Sequence, residues 1–303
     1  MRPPHLLSLF DLDRSTLQAL LADSRDWKAG AGRPLTGHLR RVATIFDGPA
    51  FRTRLAFDSA ISQVGAHRVD LPLQLGEREP ISDTAAILSA GVDAVVIRTR
   101  DHSAVRALAE HSHVPIINAM TNAGHPCEII SEAFTVYERL GSLDGLRVTF
   151  VGEDTNLCRS WCELTATFDI TLTQVCPPGW ELPPAFLDGL DEHGQVGKVT
   201  ITHDMAAGMT GANVVYTDGW PRSTREPGPE REIFEAIRID RDALDLAGPD
   251  VLLMHCMPVR RGDEVTTAVF DDDPRSITLA AKGNLRPTHT AIMSHVLSGA
   301  TDR

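Results

Sequence analysis

Residues 41–54 read RVATIFDGPAFRTR, and this stretch decides the fold class. RVATIF is a short run rich in β-branched residues, the length of one strand. Asp47-Gly48-Pro49 reads as a turn, and Pro49 leads into a helix. Along RTRLAFDSAISQVG, Phe57, Ala60, Ile61 and Val64 recur at i, i+3, i+4 and i+7, so they form one buried helical face. A strand feeding an amphipathic helix is the unit of a parallel sheet covered on both faces.

Working outward, the same alternation runs along the chain. In the first half, HRVDLPL (67–73), DAVVIR (93–98) and VPIINA (114–119) join RVATIF as strands. The second half carries LRVTFVG (146–152), DITLTQV (169–175), KVTITH (198–203), NVVYTD (213–218) and DVLLMHCMP (250–258). A long helix near 126–141 and the turn GSLDG (141–145) separate the two sets, which puts a boundary near residue 140. The expectation is an α/β protein of two doubly wound parallel-sheet domains facing a shared cleft, 1–140 and 141–285, followed by 286–303. The Pro/Gly/Arg-rich segment 219–232 reads as a mobile loop.

A length of 303 residues suits two domains, and a hydrophobic fraction of 42% can bury a core that offsets the entropy of ordering. The net charge of −12 argues against nucleic-acid or anionic-membrane partners. Five cysteines are an odd and sparse set, which fits a reducing compartment better than a disulfide framework. The N-terminal apolar run is interrupted by Asp11 and Asp13, and nowhere else does an apolar stretch approach the roughly 20 residues of a membrane span. A cytoplasmic protein is expected.

Ligands of open parallel sheets bind beyond the carboxyl ends of the strands, so motifs there carry the functional reading. After strand 41–46, a helix N-terminus with Arg52 and Thr53 has the makings of an anion site, although an isolated RTR is usually a solvated first turn. His125-Pro126-Cys127-Glu128 follows strand 114–119, and its imidazole could donate to a developing oxyanion or simply begin a helix. His255 and Cys256 invite a metal reading, but no second pair stands at ligand spacing, so metal is rejected. Cys158 and Cys162 read as small buried side chains. Gly152 in FVGEDTN ends a strand without the G-x-G-x-x-G spacing, so a dinucleotide-dependent oxidoreductase has only that fragment in its favour. Asp218 closes the NVVYT strand, placed for an amine or as a helix cap.

In their order, these pieces resemble the aspartate/ornithine carbamoyltransferase family, its ornithine branch most closely, over essentially the whole chain. PAFRTR is similar to the family's S-T-R-T-R loop, HPCE to H-P-C-Q, YTDGW to Y-T-D-V-W, and HCMPVRRGDEVT to the H-C-L-P segment. Gln74-Leu75-Gly76, ahead of Glu79, Asp83 and Thr84, resembles the loop that enters a neighbouring subunit's site.

The resemblance implies that an amine attacks the carbonyl of carbamoyl phosphate, without a cofactor or metal, in a homotrimer with shared sites. Arg52, Thr53 and the helix N-terminus would hold the phosphate, with Gln74 from the next subunit. Arg98 and His125 would stabilise the tetrahedral oxyanion, and Glu128 and Arg286 would join the donor site. Asn156 and Asp218 would orient an amino-acid acceptor, while Cys256 and the Met257 carbonyl would line the attacking amine and the carbamoyl NH2. The stretch THTAIMSHVLSG would be a final helix returning to the first domain.

Departures from the family pattern bear on both substrates. Ala50 and Phe51 stand where the loop has Ser and Thr, and each lost bond to a charged group costs about 1.5–3 kcal/mol. Glu128 replaces a glutamine, and Leu285 stands in place of an arginine that Arg286 would have to replace. On the acceptor side, Arg222 in DGWPRST replaces the small residues of D-V-W-V-S-M-G. Either the acceptor departs from ornithine toward a more acidic or polar amine, or Arg222 serves as an anion ligand, or it points to solvent. The alternative reading is a relative that binds carbamoyl phosphate without turnover.

Overall fold

The structure is a computed structural model that describes residues 3–194 and 197–299. Its contacts divide the chain into two units, residues 1–134 with 283–303 and residues 135–282.

The first unit runs α1 (Arg14–Lys28), β1 (Arg41–Phe46), α2 (Phe51–Gln63), β2 (His67–Asp70), α3 (Ile81–Gly91), β3 (Ala94–Arg98), α4 (His102–His111) and β4 (Ile116–Met120) into α5 (Pro126–Leu140). Its parallel sheet has the order β2-β1-β3-β4. β1, β3 and β4 are almost entirely buried, as their continuous apolar runs require of a sheet covered on both faces. Leu6 extends the far edge by pairing beside Ile117.

The second unit begins with β5 (Leu146–Val151), α6 (Asn156–Leu164), β6 (Ile170–Val175), α7 (Pro184–Glu192), β7 (Val199–Thr202), α8 (Met205–Met209) and β8 (Val214–Thr217). It continues through α9 (Pro229–Glu235), α10 (Arg241–Ala247), β9 (Leu252–His255), α11 (Thr267–Asp272) and α12 (Thr278–Gly283). The sheet order is β7-β6-β5-β8-β9, again parallel throughout. Trp161 and Phe150 flank Tyr216 with ring centroids 5.7 and 5.8 Å away, all three fully buried.

The nine strands read from the sequence are all present among the described residues, trimmed where local chemistry stops them. VPIINA starts only after Pro115, which has no N–H to give the ladder, and HRVDLPL ends ahead of Pro72. The last helix, α13 (Leu285–Ser298), packs on α1 and α2 of the first unit. His289 stacks on Phe57 at 4.3 Å, and Thr290 Oγ1 donates to Gln63 Oε1 at 2.9 Å.

Segment 219–232, expected as a mobile loop, contains local structure. It holds a 3-10 turn at Arg222–Arg225 and the start of α9. Trp220 is buried against Phe234, and the buried Thr224 receives Arg231 Nη1 on its carbonyl at 3.0 Å. Proline, glycine and arginine dominate the composition, but two anchors decide the conformation.

Candidate active site

In each sheet the strand order reverses once, between β1 and β3 in the first unit and between β5 and β8 in the second. The helices on either side of such a reversal leave opposite faces, which opens a crevice at the carboxyl ends of those strands. Some of the residues singled out in the sequence lie at these two places and others do not, and each is described within its own unit.

At the first reversal, register sets Phe46 beside Arg98, so the turn after β1 and the last residue of β3 are neighbours. Gly48 takes a positive φ of 73°, and Ala50, the residue before α2, sits in the left-handed region at φ 31°. A non-glycine residue held there marks a constrained turn. The turn starts α2 with Arg52 and Thr53 in its first turn, near backbone N–H groups that no preceding helical turn can satisfy. Thr53 Oγ1 accepts from Arg98 Nη1 at 2.7 Å. Arg54 faces inward instead, donating to the Phe46 carbonyl and to Asp70, and so ties α2 to β1 and β2. The guanidinium of Arg52 lies 4.8 Å from the Phe51 ring centroid. Phe51 therefore supplies a face for the neighbouring cation where a hydroxyl is lost.

His125 stands just before α5, and its carbonyl accepts from Ile129 N–H. Its ring is nearly buried, with Nε2 3.8 Å from Glu128 Oε2, itself nearly buried one turn on. Cys127, between them, is fully buried with its thiol donating to the Asn118 carbonyl, and burial pushes its thiol well up. It acts as packing.

Thr53, Arg98, His125 and Glu128 are therefore residues at or beyond the carboxyl ends of β1, β3 and β4, three adjacent strands. Gln74 is exposed on the loop after β2, where Gln74, Glu77, Arg78 and Thr84 border a hollow of about 280 Å³. Arg286 is exposed on the first turn of α13, one residue beyond the buried Leu285.

At the second reversal, Val151 pairs with Thr217 and Thr217 with His255. The residues that follow the strands are brought side by side, Asp218 and Cys256 directly and Glu153 one residue beyond Gly152, close enough to Asp218 for their charges to interact. Asp218 Oδ1 accepts from the Cys256 thiol and from Gly219 N–H. Asn156 opens α6, whose N-cap Thr155 accepts from Cys158 N–H. Asp154 is answered by Arg159, whose Nε donates to it at 2.7 Å. Glu153 has no such cation. Burial first, then the charges of Asp218 and Asp154, pushes its carboxyl up to about 7. Arg222 is exposed on its 3-10 turn.

Two features of this half escaped the sequence reading. In the sequence Glu153 is only part of a weak nucleotide fragment, and its one local signal is a place just beyond a strand end. The sequence offers His255 only as a metal ligand, whereas its partner is the buried Glu264, with Nε2 and Oε1 3.0 Å apart. Nothing local in the sequence joins two residues nine positions apart across a turn. Among the described residues, no group of three or more His, Cys, Asp or Glu side chains is arranged to hold a metal ion.

Comparison with known proteins agrees with this geometry. Residues 4–138 match the carbamoyl-P binding domain of the aspartate/ornithine carbamoyltransferases, and residues 144–296 match their Asp/Orn binding domain. The chain is 36% identical to an ornithine carbamoyltransferase of Acidothermus cellulolyticus, covering 99% of this chain and 98% of that one. It is 38% identical to one from Methanothermobacter thermautotrophicus, over 97% and 99% of the two chains. The solved ornithine carbamoyltransferase of Pyrococcus furiosus superposes with a TM-score of 0.90 at 30% identity, covering 97% of each chain. With both domains matched in order over nearly the whole chain, and relatives more than 30% identical across it, this chain belongs to the aspartate/ornithine carbamoyltransferase family.

Proposed function

We propose that this carbamoyltransferase moves the carbamoyl group of carbamoyl phosphate to the side-chain amine of ornithine or a close diamino-acid relative, releasing phosphate. The observation that carries the reading is the Thr53–Arg98 contact at the mouth of β1 and β3. A hydroxyl that accepts from a guanidinium keeps its own proton to donate, and the guanidinium still has other N–H groups. Together they offer donors to phosphate and carbonyl oxygens in a fixed arrangement. Arg52 and the first N–H groups of α2 add charge and dipole for the phosphate. His125 assists Arg98 at the oxyanion, and Glu128 accepts from the carbamoyl NH2 that the family's glutamine would otherwise meet.

The amine nitrogen attacks the carbonyl carbon, and the tetrahedral intermediate collapses with cleavage of the carbon–oxygen bond to phosphate. The amine's proton leaves with the phosphate. Asn156 and Asp218 orient the acceptor, with Cys256 and the Met257 carbonyl beside its reacting amine. The Glu153 carboxyl lies near Asp218, and Arg222 is exposed, so a cationic acceptor suits these residues better than an acidic one.

The family resemblance further supports a homotrimer in which Gln74 serves a neighbouring subunit. Phe51, Leu55 and Ile87 are apolar and each about two-thirds exposed on α2 and α3, the helices on either side of the Gln74 loop. Free cysteines and the absence, among the described residues, of any helix long and apolar enough to cross a membrane are compatible with a cytoplasmic location.

The test is calorimetric titration with fresh carbamoyl phosphate, followed by phosphate release with ornithine and a panel of amines. Saturable binding lost in Arg52→Ala and turnover with ornithine are expected. Binding without turnover on any amine would leave only a ligand-binding relative, and no binding at millimolar ligand would remove the donor role. Light scattering should give a trimer. Mixtures of inactive Gln74→Ala and Arg98→Ala subunits should regain activity, because shared sites put an intact pair together in some interfaces.

A further inference from the structure

The turn that carries Cys256 and Met257 is held from below by two fully buried residues, His255 at the end of β9 and Glu264 beyond the turn. Met257 N–H donates to His255 Nδ1 at 2.7 Å, so that nitrogen carries no proton. The ring proton is therefore on Nε2, where it donates to Glu264 Oε1 at 3.0 Å. The same oxygen accepts Arg260 N–H at 2.6 Å. Glu264 has a rigid footing: its carbonyl accepts Ile239 N–H, and Thr266 N–H returns to the Ile239 carbonyl, both at 3.0 Å. The turn itself is constrained, with Met257 in the left-handed region at φ 64°. A β-unbranched residue with a side chain stays there only where its surroundings over-determine it.

We propose that His255 and Glu264 are positioning residues for carbamoyl transfer, a buried clamp that sets the Cys256 thiol and the Met257 carbonyl for the acceptor. The proposal rests on the acceptor role given above to Cys256 and Met257. Charge and imidazole in a solvent-free position are costly, and a well-packed apolar pair would fill the space with less penalty. What an apolar pair cannot do is receive Met257 N–H and Arg260 N–H at opposite ends of one turn. With both ends held, the intervening backbone has little freedom, and the thiol stays on Asp218 Oδ1. Oriented side chains whose own partners are fixed in this way recur around metal ligands and catalytic groups, and losing such a partner costs about 10- to 100-fold.

The clamp works by reach, not by charge, and this separates it from a generic ion pair. Glu264→Asp keeps the charge but withdraws the carboxylate by one methylene, whereas Glu264→Gln keeps the reach. Expected for Glu264→Asp are a kcat lower by about tenfold or more and a raised acceptor KM. Iodoacetamide should alkylate its Cys256 severalfold faster. The other four cysteines are buried, so alkylation reads this thiol alone. Glu264→Gln should stay within about threefold of wild type in all three readouts. His255→Gln, whose amide lies too far out to place an acceptor at the Nδ1 position for Met257 N–H while Glu264 is intact, should behave like Glu264→Asp and carries the test if that variant does not fold. Wild-type kinetics and alkylation in the folded Asp or His255→Gln variants, or a Gln variant worse than the Asp variant, overturns the clamp. If the wild type carbamoylates no amine, the functional reading fails, and the alkylation rates still judge the clamp on their own.

Discussion

Two single side chains give the donor and acceptor halves their particular character. Phe51 costs a hydroxyl donor but lays its ring against Arg52. An exposed cation–π contact is worth about 0.5–1 kcal/mol. Phe51→Leu should therefore raise the KM for carbamoyl phosphate by about two- to fivefold, with kcat little changed, in steady-state phosphate-release assays. Glu153 faces the opposite problem, an acid beside Asp218 without a cation. Its carboxyl value in the fold, about 7, lies above the ordinary 4.5, so the folded chain keeps a proton that the unfolded chain has released. Stability from this group is present below the ordinary value and is lost as pH rises through about 7. Glu153→Gln should melt near the wild-type temperature at pH 5 and above it at pH 8, as thermal unfolding at the two pH values will show.

At the scale of the element, α13 is the helix to test, because the last segment of the chain completes the core of the first unit. Its inward face includes His289, fully buried, whose ring nitrogens have no well-formed hydrogen bond among the described residues beyond a weak approach to the Cys127 backbone. Burial lowers the imidazole from 6.5 to about 4, partly opposed by the nearby Glu128 charge. Here the unfolded chain takes up the proton first, so stability falls as pH drops from 6.5 toward 4. The full effect is about 3 kcal/mol by the proton linkage of a buried group. His289→Leu should flatten the acid limb of the stability curve between pH 7 and pH 4.5 in urea titrations. At pH 8 it should cost little, since an apolar side chain of similar size replaces a buried polar ring with weak polar partners.

On the scale of the whole molecule, the two units differ in how they are encoded. Residues 135–282 form one continuous unit, while the first unit needs 283–303 from the far end of the chain. Removing α13 uncovers the faces of α1 and α2 that it packs against, and breaks its contacts with Phe57 and Gln63. A fragment ending at residue 138 should thus lack a cooperative thermal transition. Joining residues 283–303 to it through a flexible linker should restore one, and a fragment of 141–282 should fold unaided. Circular dichroism melts of the three fragments check this, and a cooperative melt of the short fragment would contradict the dependence on α13.

The sequence by itself determined the strands, their alternation with helices and the parallel class, because these follow from periodicity and β-branched runs that act over a few residues. It also determined which motifs fall just past strand ends, since a strand end is local punctuation such as Gly48-Pro49. Only the tertiary structure decided which strand ends are neighbours. Thr53 and Arg98 meet because β1 pairs with β3, and Glu153 comes beside Asp218 because β5 pairs with β8. The order within 219–232 was likewise out of sight, because composition does not show that Trp220 packs on Phe234 or that Arg231 reaches back to the Thr224 carbonyl. The His255–Glu264 pair belongs to the same class. Strand order, burial and side-chain direction are properties of the packed chain, and a one-dimensional pattern carries them only after the sheet has closed.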